Sequence, residues 1–179
     1  MLKHFMFKHL RYNMNLLNFI KAAIMKIISR LPVILSLFLI LLPLSVFAGK
    51  WNTNKNGVVL EGYDVVSYHT EDRAIKGLSR LATEYDGVKF YFSTKQHRDM
   101  FIKSPEKYAP KYNGYCAFAM GAKNAKVPAN ADTFKMYNGE LLVFFNDLHE
   151  GKKFNTKIPW NNDEKKLFLQ AEKNWVKLK

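Results

Sequence analysis

From Val58 onward the chain sets short runs of β-branched and aromatic residues between polar corners, and the corners carry turn chemistry. "VVLEGYDVVSYHT" (58–70) has apolar clusters on either side of Gly62, which predicts short extended segments with a bend. "RLATEYDGVKFYF" (80–92) places two β-like runs around Asp86-Gly87. A type I′ turn needs positive φ at both central residues, and Asp-Gly supplies it readily, so a hairpin is predicted from about Leu81 to Phe92. "TFKMYNGELLVFF" (133–145) repeats the logic around Asn138-Gly139. Ser93 stands three residues before Gln96, the spacing of a capping box. That predicts a Ser93-capped helix to about Lys103, with Met100, Phe101 and Tyr108 turned inward. Ser104-Pro105 ends this helix, and "PEKYAP" (105–110) reads as a single turn bounded by prolines.

"YNGYCAFAMGAKN" (112–124) puts a small apolar run between Gly114 and Gly121, short enough for a buried helical turn. "NNDEKKLFLQAEKNW" (161–175) has acids near its start, an apolar set at Leu167, Phe168, Ala171 and Trp175, and a basic end, the pattern of an amphipathic helix aligned with its dipole. Two hairpins alternating with short helices, closed by a C-terminal amphipathic helix, predict a small α+β domain. No stretch repeats at a fixed period.

Ahead of this domain, "LPVILSLFLILLPLSVFAGK" (31–50) is uncharged until Lys50, has a helix breaker at Pro43, and ends in a V-F-A arrangement. With the basic residues before it, this is the layout of a secretory signal over 1–48, cleaved after Ala48. The rival is an uncleaved anchor, because about 18 apolar residues is the lower limit for spanning a bilayer; Pro43 and Ala48 favour cleavage, leaving no transmembrane anchor. "MKIISR" gives an n-region of ordinary length, so Met25 is a second candidate initiator. The expected mature chain is a single domain over 49–179, in the periplasm or secreted. No cysteine stands near the cleavage point to accept a lipid.

Charge changes with the leader removed. The full chain carries +13, but the leader holds six basic residues and no acid, which leaves 22 basic against 15 acidic residues and a net +7. The lysines are spread along the chain, a cationic surface suited to anionic lipid or envelope polymers, and export argues against nucleic acid. Cys116 is the only cysteine, so no intramolecular disulfide staples the fold. No G-x-S-x-G, H-E-x-x-H, C-x-x-C or phosphate-cradling glycine loop is present, and no catalytic constellation is assigned.

Three blocks, "GYDVVSY" (62–68), "YDGVKFYFSTKQHRDMFIKSPEKYAPKYNGYCAFA" (85–119) and "AEKNW" (171–175), together resemble the exported branch of the YHS-domain proteins over residues 57–175. The resemblance implies a treble-clef-like module related to heavy-metal handling, in which two cysteines at a strand-to-helix corner hold a soft metal. In this chain the first cysteine position falls on Ser93, the second on His97, and the eponymous histidine on Phe92. The corner therefore keeps one strong ligand type, and Ser93 reads as a helix cap with His97 exposed on the helix.

The candidate metal ligands are Cys116, with Met120 four residues on, and His97 and His69. A thiolate with a thioether and one imidazole suits Cu(I), and copper or another transition metal is the cofactor considered. The other reading of Cys116 is a buried small hydrophobe among Ala117, Phe118 and Ala119, where a serine hydroxyl would destabilise more than alanine. Tyr63, Asp64, Tyr68 and Tyr112 are candidates for a polar-aromatic pocket; otherwise Asp64 serves a turn and the tyrosines the core. The expectation is a non-catalytic exported domain that binds a transition metal weakly or transiently, or alternatively an interaction module for an envelope protein that has lost metal binding.

Overall fold

The computed structural model describes residues 21–22, 25–26 and 50–178. Lys21, Ala22, Met25 and Lys26 are helical; the rest of the expected leader and its cleavage point lie outside the described residues. Among the described residues no helix is long and apolar enough to cross a membrane.

The fold is α+β. Its elements are α1 (Val65–Glu71), β1 (Leu78–Tyr85), β2 (Val88–Phe92), α2 (Lys95–Lys103), α3 (Pro105–Tyr108), α4 (Ala117–Lys123), β3 (Asn130–Tyr137), β4 (Glu140–Phe144), β5 (Asn146–His149), β6 (Lys152–Asn155), α5 (Lys157–Asn162) and α6 (Glu164–Leu178). The strands form three two-stranded antiparallel hairpins. Asp86-Gly87 and Asn138-Gly139 turn the first two with positive φ at both residues (51° and 79°, 52° and 78°), as expected. The third hairpin, turned by Glu150-Gly151 (52° and 76°), was not expected, because Glu-Gly is a weak hairpin signal.

Strand β4 organises the core. Leu141 and Val143 enter one hydrophobic cluster, with Trp51, Phe90, Phe92 and Phe101, while Leu142 and Phe144 enter another, with Met120, Trp160 and Ala171. Successive side chains of a strand point to opposite faces, so a strand between two cores must be apolar at every position, which "LLVF" is. Helix α6 closes the second cluster against α4. A Cβ on Gly121 would lie 2.5 Å from the Leu167 carbonyl oxygen, so only glycine permits this approach.

The segments around Asp64 and Cys116 are copies of one unit, which corrects the expectation of no internal repeat. Helices α1 and α4, hairpins β1–β2 and β3–β4, and the register slip in each hairpin all recur at an offset of 52 residues, as from Asp64 to Cys116. Each helix follows two left-handed residues and a glycine at φ 79° (Leu60-Glu61-Gly62 and Tyr112-Asn113-Gly114). Each N-cap residue takes its backbone bond from the equivalent place, Asp64 N–H to Ile75 O at 2.8 Å and Cys116 N–H to Val127 O at 2.9 Å. In sequence the units share little beyond Gly62/Gly114, Tyr63/Tyr115, Tyr85/Tyr137, Gly87/Gly139 and Phe92/Phe144. They diverge after the second strand: the first continues into α2, the second into the β5–β6 hairpin.

Candidate functional site

Each unit builds a corner where the N-cap of its helix meets the end of its second strand. In the first, Asp64 is the hub. Its side chain is fully buried; Oδ1 accepts from Val66 N–H at 2.9 Å, capping α1. Oδ2 accepts from Ser93 N–H at 2.8 Å, from the Ser93 hydroxyl at 2.6 Å and from His97 Nδ1 at 2.8 Å. A carboxylate only accepts, so Nδ1 carries the imidazole proton. The opposite nitrogen, Nε2, stands 3.7 Å from the half-exposed Glu71 carboxylate, beyond a direct hydrogen bond.

Two expectations are corrected here. Ser93 is not the helix cap: the Thr94 hydroxyl oxygen accepts from His97 N–H at 3.1 Å, while Ser93 turns inward to Asp64. His97 is not an exposed helical residue but is buried on the same carboxylate. Serine, histidine and aspartate meet, yet not as an acyl-transfer triad. There the two ring nitrogens would face the carboxylate and the nucleophile separately, whereas here the Ser93 hydroxyl and Nδ1 converge on one carboxylate oxygen.

Nor does this corner fit the soft metal implied by its resemblance. The Ser93 hydroxyl and His97 Nδ1 are both committed to Asp64, and Nε2 with the Glu71 carboxylate is all that is left to offer, short of the three or four protein ligands of a tight site. Among the described residues no group of three or more His, Cys, Asp or Glu side chains is placed to hold an ion.

In the second corner Cys116 takes the place of Asp64. Its thiol is fully buried; Sγ accepts from Phe145 N–H at 3.3 Å, as Asp64 accepts from Ser93 N–H 52 residues earlier. Thr156 Oγ1 lies 3.3 Å from Sγ and donates its own hydrogen to Phe145 O at 2.9 Å, which leaves the thiol to donate to Thr156. Cys116 is therefore buried, as one reading expected, but it is polar-partnered rather than surrounded by hydrocarbon alone.

Beside it opens a cleft of about 250 Å³, walled by Cys116, Phe118 and Lys123 from the helical side and Phe145, His149 and Phe154 from the hairpin side. Taken position by position, the sequence offers no reason to single out Lys123 or Thr156, and His149, in "NDLHEGKK", reads there as a solvated residue outside any site. A signal was present for Lys123 in the offset that sets it against Glu71, but it is visible only once Gly-Tyr at 62–63 and 114–115 are superimposed.

The remaining candidates are dispersed. His69 packs edge-on against Tyr108, with ring centroids 5.2 Å apart, and its Nε2 is buried without a hydrogen-bond partner. Burial, then the Lys107 ammonium, hold its pKa below the ordinary histidine value, against an opposing hydrogen bond that the ring donates to the Tyr108 backbone carbonyl. Met120 is a fully buried member of the second core cluster. Tyr63 lies beneath the Lys76 ammonium at 4.4 Å, and the Tyr68 hydroxyl donates to Ala131 O at 2.7 Å. Burial pushes the Tyr68 hydroxyl far above the ordinary tyrosine range, and Tyr112 likewise, where burial leads and Glu172, accepting its hydroxyl at 2.9 Å, adds. Tyr68 belongs to the first core cluster and Tyr112 to the second, so the structure does not bring the four pocket candidates together. Of those predicted residues only Asp64 joins a corner.

Comparison of the chain with protein-family models, with curated proteins and with solved structures gives no match.

Proposed function

We propose that the protein is an exported, YHS-like binding domain whose first corner is a structural lock and whose activity does not depend on a metal there. One observation carries this reading: a single buried carboxylate, Asp64, takes the hydrogen bonds of both residues at the metal-ligand positions, Ser93 and His97. Such a hub ties the start of α1, the end of β2 and the first turn of α2 into one unit. The charge on Asp64 is stabilised by four donors rather than by an ion, as buried charges require. The cationic surface and the spread of lysines support an envelope setting with an anionic ligand or partner.

The test is competition titration of Cu(I) and Zn(II) against chelators of graded affinity, with wild type and His97→Ala compared at matched pH. The reading predicts equal affinities in the two proteins together with a marked loss of stability in the variant. Stoichiometric metal uptake that disappears with His97 would overturn it.

A further inference from the structure

The repeat supplies an internal comparison. In the first corner the chain provides its own carboxylate, and the histidine of the unit binds it. At the equivalent positions of the second corner the acids are gone: Asp64 becomes Cys116, and Glu71, beside His97, becomes Lys123. A buried acid and a half-exposed one have been replaced by a thiol and a cation, and the helix that carries His97 has been replaced by the β5–β6 hairpin, whose His149 lines the cleft. The cleft lining contains no acidic residue, and Lys123 makes no ion pair among the described residues. Where the first corner is filled from within, the second is open to a cleft.

We infer that this cleft binds a small organic anion, a monocarboxylate with an apolar body, whose carboxylate pairs with the cation that stands where Glu71 stands in the first corner. Lys123 and His149 are the groups for the head, and Phe118, Phe145 and Phe154 face the body. The space suits a small ligand: at about 30 Å³ per water, 250 Å³ corresponds to roughly eight waters, and an apolar cavity of about 150 Å³ already takes benzene. An eight-carbon acid fits, with its head at the mouth.

The β5–β6 hairpin forms one wall and is mostly exposed, with Leu148 at 67% and Phe154 at 41%. Among the described residues it pairs with no third strand. An isolated two-stranded hairpin is marginal in water, so this wall is the part of the site that yields when a ligand enters. The inference deepens the reading of a metal-independent binding domain by naming its site and ligand class.

The experiment is calorimetric titration of the full chain with octanoate, 1-octanol and octylammonium. Octanoate is expected to saturate one site, octanol to bind at least tenfold more weakly, and octylammonium to give no saturable heat. Lys123→Glu restores the acid of the first corner at an exposed position. It is expected to weaken octanoate binding at least tenfold and leave octanol unchanged, with the far-ultraviolet circular dichroism of wild type. Equal affinities for octanoate and octanol, or a Lys123→Glu protein that keeps its octanoate affinity, would overturn the anion assignment. No binding of either would overturn the cleft as a ligand site. Both failures leave His97-independence of metal binding standing, so they are distinguishable from failure of the binding-domain reading itself.

Discussion

Replacing Asp64 by Asn tests the hub with almost no change in shape. The carboxylate is fully buried and accepts four hydrogen bonds, one at Oδ1 and three at Oδ2. With the amide oxygen kept toward Val66 N–H, the new NH2 faces Ser93 N–H, and neither can accept. A buried donor left unpaired costs about 1–3 kcal/mol. The Ser93 hydroxyl can rotate and His97 can change tautomer so that both accept from the amide. That exchanges two charge-assisted bonds for neutral ones, at about 1 kcal/mol each. Flipping the amide only moves the orphan to Val66 N–H. The sum is a loss of about 3–5 kcal/mol, a large part of the stability of a small domain. Urea denaturation of wild type and Asp64→Asn at neutral pH measures it as a fall in midpoint at constant slope. A loss below about 1 kcal/mol would refute the hub.

Four further outcomes follow from the same geometry. Ser93→Ala removes a 2.6 Å bond to a buried carboxylate, worth about 1.5–3 kcal/mol, and Thr94→Ala removes the true helix cap, about 1 kcal/mol; chemical denaturation showing the reverse order would return the cap to Ser93. Cys116→Ala leaves Phe145 N–H without its acceptor and is expected to destabilise by about 1–3 kcal/mol, more than Cys116→Ser, whose hydroxyl can keep both partners; thermal melts of the two variants rank them. Gly121→Ala forces a Cβ to 2.5 Å from the Leu167 carbonyl oxygen and should cost about 1–3 kcal/mol by pushing α4 off α6, read from the denaturation midpoint. His69 is held neutral by burial, so its folded pKa lies below its unfolded value of about 6.5; the unfolded chain protonates first, and stability falls as pH drops below that value. In His69→Asn this part of the pH dependence between 7.5 and 5 should be absent, as tested by denaturation at each pH.

The elements legible in the sequence are those whose signal is local. Asp86-Gly87, Asn138-Gly139 and the prolines around "PEKYAP" act through their own backbone preferences, and the α6 stripe through its period. The corners are not local. Ser93 and Thr94 are adjacent candidates for one cap, and the choice between them rests on a carboxylate 29 residues earlier in the chain. His97 looks exposed on a helix of polar neighbours because its partner is likewise distant. The repeat is hidden because what it conserves is backbone conformation: the left-handed residues before Gly62 are Leu and Glu, and those before Gly114 are Tyr and Asn. Their side chains share nothing that a residue-by-residue pattern would register.

The central claim, that the first corner holds hydrogen bonds in place of an ion, is tested most directly at the His97 ring by nitrogen-15 NMR of the imidazole, before and after one equivalent of Zn(II) or Cu(I). The account predicts a ring protonated at Nδ1, with both nitrogen shifts unchanged by the metal and sensitive to Asp64→Asn. A His97 nitrogen that moves to a metal-bound shift at one equivalent would contradict it.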